Sequence, residues 1–239
     1  MMPELGVNVD HVATLREARG GMDTDPVEAA LICETAGCNS IVAHLREDRR
    51  HIKDRDIHEL RKRIRTRLNL EMYIDPEIVQ IALEVGPEQA TLVPERRQEL
   101  TTEGGLSVIK YKKRLNRLGQ SFKKKGIELS IFIDPDKNEI RAVKDIGVDI
   151  IEIHTGKYSL AKDKKAIERE YKKIKDAADY ALSLGLIVNA GHGLNYENVR
   201  RIAAISGINE LNIGHSIISQ AVFTGLHKAV RDMKSLVSV

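Results

Sequence analysis

Short apolar or alternating runs recur along the chain at 5–10, 40–45, 68–73, 90–93, 128–134, 149–155, 186–190 and 210–214, and each reads as a β-strand. Between them lie charged segments whose apolar residues return every three or four positions. These predict helices over 26–36, 54–65, 76–84, 106–125, 138–145, 162–184, 196–204 and 217–236. Strand then helix, eight times over, predicts an α/β fold of the (β/α)8 TIM-barrel kind. The turns agree: AGCNS, KGIE, IGVD and LGLI put glycine where a helix ends in the left-handed conformation before a strand begins. In the lysine-rich segment 106–125, Ile109, Leu115, Leu118 and Phe122 form one apolar stripe, so its charges read as a solvated face. The stretch 161–184 is longer than one barrel helix needs and predicts an additional short helix suited to an interface. No linker or repeat divides the 239 residues, so one barrel domain over 1–239 is expected.

The polar positions of the strands are what a plain barrel does not need. In LGVNVDHVATLREARGG (5–21), strand alternation puts Gly6, Asn8 and Asp10 on one side and Val7, Val9 and His11 on the other. The second strand runs out through His44 and Arg46, the third carries Asn69 and Glu71, and the sixth carries Glu152 and His154. A lumen filled by branched apolar residues gains nothing from a carboxylate, because an unpaired buried charge costs several kcal/mol or neutralises. Glu71 and Glu152 therefore need partners or a reaction. His44 and His192 fall at strand ends, where barrel active sites lie, and read as acid–base groups. The role of His154 stays open; His11, His58 and His227 read as structural or solvent-facing. The last two strands run into GHG (191–193) and GHS (214–216), turns whose backbone amides suit a phosphate. Arg19, Arg46 and His51 add donors for a second anion.

Charge and composition narrow the class. Lys plus Arg number 38 against 35 Asp plus Glu, and no basic block is interleaved with aromatics, which argues against a nucleic-acid partner. The opening MMPELG lacks a basic start and apolar run, and no stretch of about 18 apolar residues occurs, so a cytoplasmic protein without membrane contact is expected. Cys33 and Cys38, without partnering Cys/His pairs, read as packing. Two other readings of the same residues stay open. One is a metal-dependent hydrolase with ligands from Asp10, His44, Glu71, His154 and His192; the other is a phosphate-ligand sensor without chemistry.

The segments GVNVDHVATLREARG, HLREDRRHI, LNLEM, LVPERRQELTTEGGL, IEIHTG, VNAGHGLNYENV and ELNIGHSII closely resemble the pyridoxine 5′-phosphate synthase (PdxJ) family of vitamin B6 biosynthesis. The resemblance runs from Leu5 to the C-terminal helix. It implies a barrel that condenses 1-deoxy-D-xylulose 5-phosphate with 3-amino-2-oxopropyl phosphate, giving pyridoxine 5′-phosphate, phosphate and water. By the family's pattern His44 and Glu71 match proton acceptors, His192 the proton donor and Glu152 a transition-state stabiliser. Asn8, Arg19, Gly193, Gly214 and His215 match binders of the aminoketone phosphate. Asp10, His11, Arg46, His51 and Thr101 match binders of the deoxyxylulose phosphate, which revises the reading of His11. The resemblance also implies a homo-octamer built from dimers and no metal or redox cofactor. Departure from the family pattern is local: GGMDTDP after Arg19 is Gly-rich, predicting a looser loop.

The implied chemistry is a series of proton transfers around an imine, for which histidines and a carboxylate raised by burial are apt. Strand six, DIIEIHT, holds no lysine, and Lys157 lies beyond it, so the imine nitrogen is expected from the substrate. The polar loop 94–105, PERRQELTTEGG, reads as a lid that excludes water.

Overall fold

The computed structural model describes residues 2–21, 23–95 and 104–238. Eight parallel strands pair in chain order: β1 (Glu4–Asn8), β2 (Ser40–Leu45), β3 (Arg67–Met72), β4 (Gln89–Leu92), β5 (Glu128–Ile133), β6 (Ile150–His154), β7 (Ile187–Gly191) and β8 (Ile208–Ile213). β8 pairs back onto β1, which closes the barrel. Among the described residues the helices are α1 (Asp10–Arg19), α2 (Pro26–Thr35), α3 (Asp54–Arg63), α4 (Pro76–Val85), α5 (Val108–Lys124), α6 (Lys137–Asp145), α7 (Gly156–Leu160), α8 (Lys164–Ser183), α9 (Val199–Ala203), α10 (His215–Thr224) and α11 (Leu226–Val237).

Outward residues of the strands, among them Leu5, Val7, Ile41, Leu70, Ile151 and Leu211, join the apolar faces of the helices in one buried core. Cys33 and Cys38 belong to it as free thiols, and burial pushes both up from the ordinary thiol range. Aspartate side chains cap α2, α4, α6 and α8 through Asp25, Asp75, Asp136 and Asp163, and Pro26 and Pro76 open the first two of these. No described helix is long and apolar enough to cross a membrane.

Several expected boundaries change. β1 stops at Asn8 and Asp10 begins α1, so Asn8 and Asp10 do not share a side through strand alternation. A turn joins them instead: Asn8 Oδ1 accepts from the Asp10 backbone N–H at 2.9 Å, and Asn8 Nδ2 donates to Asp10 Oδ2 at 2.9 Å. His11 is therefore helical and stands at the barrel mouth, not on the apolar side of a strand. The predicted helix 217–236 is two helices broken at Gly225; the stretch 161–184 holds the single helix α8 and not the additional short helix expected there, and the short helix α7 lies before it, directly after β6. In α5, Leu115, Leu118 and Phe122 are buried as expected, but Ile109 is 57% exposed and Val108 takes the inward place.

Two charged ties fix the ends of this frame. On α1, Arg16 reaches α3 with a two-pronged pair to Asp56 at 2.9 and 2.7 Å, and its Nη2 also donates to the His51 carbonyl at 3.0 Å. At the amino ends of the strands, Ser40 Oγ donates to Glu210 at 2.7 Å and Arg67 pairs with both Glu210 and Glu4. This network occupies the lower end of the lumen.

Candidate active site

The carboxyl ends of the strands surround a cavity of about 620 Å³, a size suited to small ligands. In the β2–β3 register His44 lies directly opposite Glu71. The backbone N–H of His44 donates to Asp10 Oδ1 at 2.8 Å, so the Asn8–Asp10 turn also fixes the end of β2. The ring Nε2 meets Glu95 Oε1 at 2.8 Å. Glu95 stands just beyond β4, and sequence reasoning gave it no role.

Glu71 and Glu152 face the same interior. Although Glu71 is partly open toward the mouth, burial raises its carboxyl well above the usual range, and the nearby Glu152 and Asp10 charges raise it further. Glu152 is pushed up to about 8: burial dominates, the Asn212 hydrogen bond pulls down, and the Glu210 charge adds a smaller upward push. Two such groups titrate as a pair and cannot both ionise at ordinary cost near neutrality. Asn212 Nδ2 donates to Glu152 Oε2 at 2.7 Å and fixes that carboxyl. Gly191 is required beside it, since a Cβ there would stand 2.3 Å from Glu152 Oε1. Asn212 was overlooked, yet the signal is visible in ELNIGHS: it alternates with Glu210 and so shares its inward side.

His192 has φ 78°, left-handed backbone that side-chain-bearing residues rarely adopt and that persists only when neighbours enforce it. Thr155 enforces it here. Its Oγ1 lies 2.7 Å from both the Gly191 and His192 carbonyl oxygens, and its backbone N–H donates to Gly191 at 2.9 Å. Burial, followed by the adjacent His154, pushes His192 down to about 4, so its ring is neutral at pH 7. His154 is buried, packs edge-on against His192 at 5.1 Å between centroids and bonds Asp134 through Nδ1 at 3.0 Å. That hydrogen bond is the main cause holding the Asp134 carboxyl below its ordinary range. Lys157 lies on α7, so no strand places a lysine among these groups.

Two corners of the mouth offer hydrogen-bond donors. On one side Gly193, Gly214 and His215 line the cavity with Asn8, and the N-cap of α10 is Gly214, which supplies no side-chain cap to the first-turn amides. His11 and His215 meet edge-on at 4.9 Å, linking α1 to this corner. Asp10, Arg46 and His51 stand on the other side. Ile52 N–H donates to His51 Nδ1 at 2.8 Å, which leaves the ring proton on Nε2 as a donor. Arg19 is exposed in the last turn of α1 and does not line the cavity. Thr101 and most of the expected 94–105 lid lie outside the described residues, as does Met22 of the Gly-rich stretch. His58 and His227 are exposed on helices, as expected.

Among the described residues one group has the makings of a metal site: Asp10, His44 and Glu71 offer ligand atoms within 4.8 Å of one another. The His154 and His192 expected for a hydrolase are not in it. Burial holds Glu71 toward its protonated form, and that proton would have to leave before a cation could bind; the Glu95 contact at His44 Nε2 leaves Nδ1 open and is as compatible with a cation as with proton transfer.

Comparison with known proteins agrees with the geometry. The family model described as pyridoxal phosphate biosynthesis protein PdxJ matches residues 5–239. A pyridoxine 5′-phosphate synthase of Geotalea daltonii is 58% identical over 236 residues, covering 99% of both chains. The synthase of Geobacter sulfurreducens is 56% identical over the same length and share. Solved structures resemble the barrel at much lower identity. Phosphoribosylanthranilate isomerase from Thermotoga maritima superposes with a TM-score of 0.61 at 11% identity, covering 99% of this chain and 98% of its own. Thiamine phosphate pyrophosphorylase from Pyrococcus furiosus gives 0.62 at 15%, covering 98% and 95%. These two speak for the fold alone. With the family model spanning almost every residue and relatives this similar end to end, the chain belongs to the PdxJ family of pyridoxal phosphate biosynthesis proteins.

Proposed function

We propose that the barrel mouth condenses 1-deoxy-D-xylulose 5-phosphate with 3-amino-2-oxopropyl phosphate to pyridoxine 5′-phosphate, phosphate and water. The observation that carries this reading is one cavity holding His44, Glu71, Glu152 and His192 between two donor-bearing corners. The aminoketone phosphate sits at Asn8, Gly193, Gly214 and His215, with Arg19 approaching from the exposed end of α1. The deoxyxylulose phosphate is held by Asp10, His11, Arg46 and His51; Thr101, which the family pattern adds to this set, lies outside the described residues.

The substrate amine attacks the second substrate's ketone, and the imine forms as water leaves. Glu71, once it has passed its own proton to a departing oxygen, joins His44 in accepting protons from the condensing carbons and nitrogen, and His192 returns them to departing oxygens. A phosphate dianion held at Gly193 favours the imidazolium form of His192, so substrate binding supplies the charge that burial alone removes. Glu152 gives up its proton as positive charge develops at the imine nitrogen and stabilises that charge as the carboxylate, since a nearby cation favours the ionised form. Protonated carboxyls in the free lumen keep its negative charge low enough to admit two phosphate esters. No step needs a metal or redox group. The enzyme works in the cytoplasm as a single-domain barrel and assembles as a homo-octamer built from dimers.

The test supplies both phosphorylated ketones to folded protein and follows pyridoxine 5′-phosphate by mass. Product is expected to form, and turnover to survive exhaustive chelation. Glu71→Gln is expected to bind both ketones yet lose about 100-fold or more in turnover, the usual scale for a missing acid–base group. Absence of product from folded protein overturns the reading. Activity lost on chelation and restored by zinc would favour the hydrolase, and a Glu71→Gln protein that keeps every function would point to a sensor.

A further inference from the structure

His44 is held at both ends of its residue. Its backbone is fixed by Asp10, and its ring is met by a carboxylate that comes from neither neighbouring strand. Glu95 follows β4 and reaches past β3 to the end of β2. Both of its oxygens are occupied there: Oε1 meets His44 Nε2 at 2.8 Å, and Oε2 accepts the backbone N–H of Glu47 at 3.1 Å. The Glu95 side chain is 6% exposed and that of His44 is 7%, so the contact is shielded from water. The end of β4 is itself tied to β3, since the Val93 N–H donates to the Met72 carbonyl at 2.9 Å. A carboxylate presented from a fixed strand end and locked by a second hydrogen bond is a built partner for a ring, not a passing surface ion pair.

An ionised carboxylate accepts and does not donate, so this contact puts the ring proton on Nε2 and leaves the lone pair on Nδ1. A ring nitrogen of His44 and one oxygen each of Asp10 and Glu71 lie within 4.8 Å of one another, which is where proton exchange with the substrates is placed. A carboxylate behind an imidazole, fixing its tautomer and orientation without touching the substrate, is a recurring device in acid–base sites.

We propose that Glu95 is a positioning residue for His44: from the end of β4 its carboxylate fixes the ring orientation and keeps Nδ1 as the proton-accepting atom. This rests on the role given to His44 above. It also gives the PE step of LVPERRQ a task beyond starting a loop. Contact with the Glu47 amide ties the end of β4 to the segment after β2, so His44 is oriented only when these two ends of the mouth are in place.

Glu95→Ala and Glu95→Gln, with His44→Gln as control, distinguish the possibilities by steady-state kinetics and by proton NMR of protein labelled with ¹⁵N-histidine. The parent protein is expected to show a far-downfield, exchange-protected Nε2–H resonance that His44→Gln removes. Glu95→Ala is expected to lose that resonance and about 10–100-fold in kcat with little change in either KM, the usual scale for losing a group that orients a reacting residue. Glu95→Gln keeps an acceptor for Nε2–H, so it should retain a protected resonance, moved upfield, and recover most of the turnover. An unaltered kcat in Glu95→Ala overturns the proposal, and so does a reduced kcat with the resonance unchanged. Should Glu95→Ala fail to melt cooperatively, Glu95→Gln decides: an unmoved resonance overturns the proposal and a shifted, protected one supports it. Full turnover in His44→Gln would instead overturn the role of His44 itself.

Discussion

Glu152 and His192 carry opposite pH signatures. The folded protein holds a proton on Glu152 up to about pH 8, whereas the unfolded chain releases it near 4.5. Its contribution to stability is therefore complete below pH 4.5 and is lost as pH rises through 8. His192 is pushed down to about 4 from an ordinary 6.5, so the unfolded chain binds the proton first. Its contribution is present above 6.5 and is lost as pH falls toward 4. Between 4.5 and 6.5 the two slopes oppose, and between 6.5 and 8 only the glutamate slope remains. Glu152→Gln is expected to flatten that upper window and to gain on the parent by about 1 kcal/mol or more at pH 8.5 compared with pH 6. Thermal melts of both proteins across that range check it; parallel curves would show that Glu152 ionises at no cost. Activity is expected to fall in the same variant, because the group that strains the fold is the one proposed to act at the imine.

At the scale of elements, the junction of β6 with β7 matters most. Thr155 closes β6 and clasps the two carbonyls of the Gly191–His192 turn, so one hydroxyl stabilises a backbone conformation that His192 would not keep alone. Thr155→Val preserves the volume and leaves those carbonyls without the hydroxyl. It is expected to cost about 1–3 kcal/mol of stability and to lower kcat more than it raises KM, as measured by melts and initial rates. A variant with full turnover would show that the left-handed turn is not needed for proton transfer. This junction also shows what a single sequence reveals. The strands were legible because alternation repeats within each of them, and it marked Glu71 and Glu152; His44 and His192 stood out by their place at strand ends, and the part expected of each came from the family resemblance. α1 was not legible, because the strand-like alternation of GVNVDH runs on past Asn8 while the turn that stops β1 is made by side-chain hydrogen bonds. Asn212, Thr155, Glu95 and Asp134 escaped notice for a different reason. Each acts on a residue of another element, and such contacts depend on register and loop path, which local periodicity does not encode.

For the whole molecule, carboxyl groups run the length of the lumen. Glu71 and Glu152 influence each other near the mouth, and Glu210 adds its charge to Glu152 from the base, where Ser40 and Arg67 hold it. A barrel filled with branched apolar residues would lack these burdens, so the interior trades stability for reactivity. The outside bears on assembly. Phe223 and Val222 at the end of α10 are 86% and 72% exposed, and Leu160 on α7 is 79% exposed, more apolar surface than a lone barrel needs. Light scattering after size exclusion is expected to give about eight times the 26.8 kDa chain, and a monomer at micromolar concentration would refute the octamer.

The network of Ser40, Arg67, Glu4 and Glu210 stoppers the barrel from below. For the proposed reaction, both ketones, the freed phosphate and the finished ring then share the mouth at the carboxyl ends of the strands. Traffic through it is sequential: a vitamer still lodged inside bars the next pair of guests, and the order of departure becomes as much a property of the vessel as of the bonds made within it.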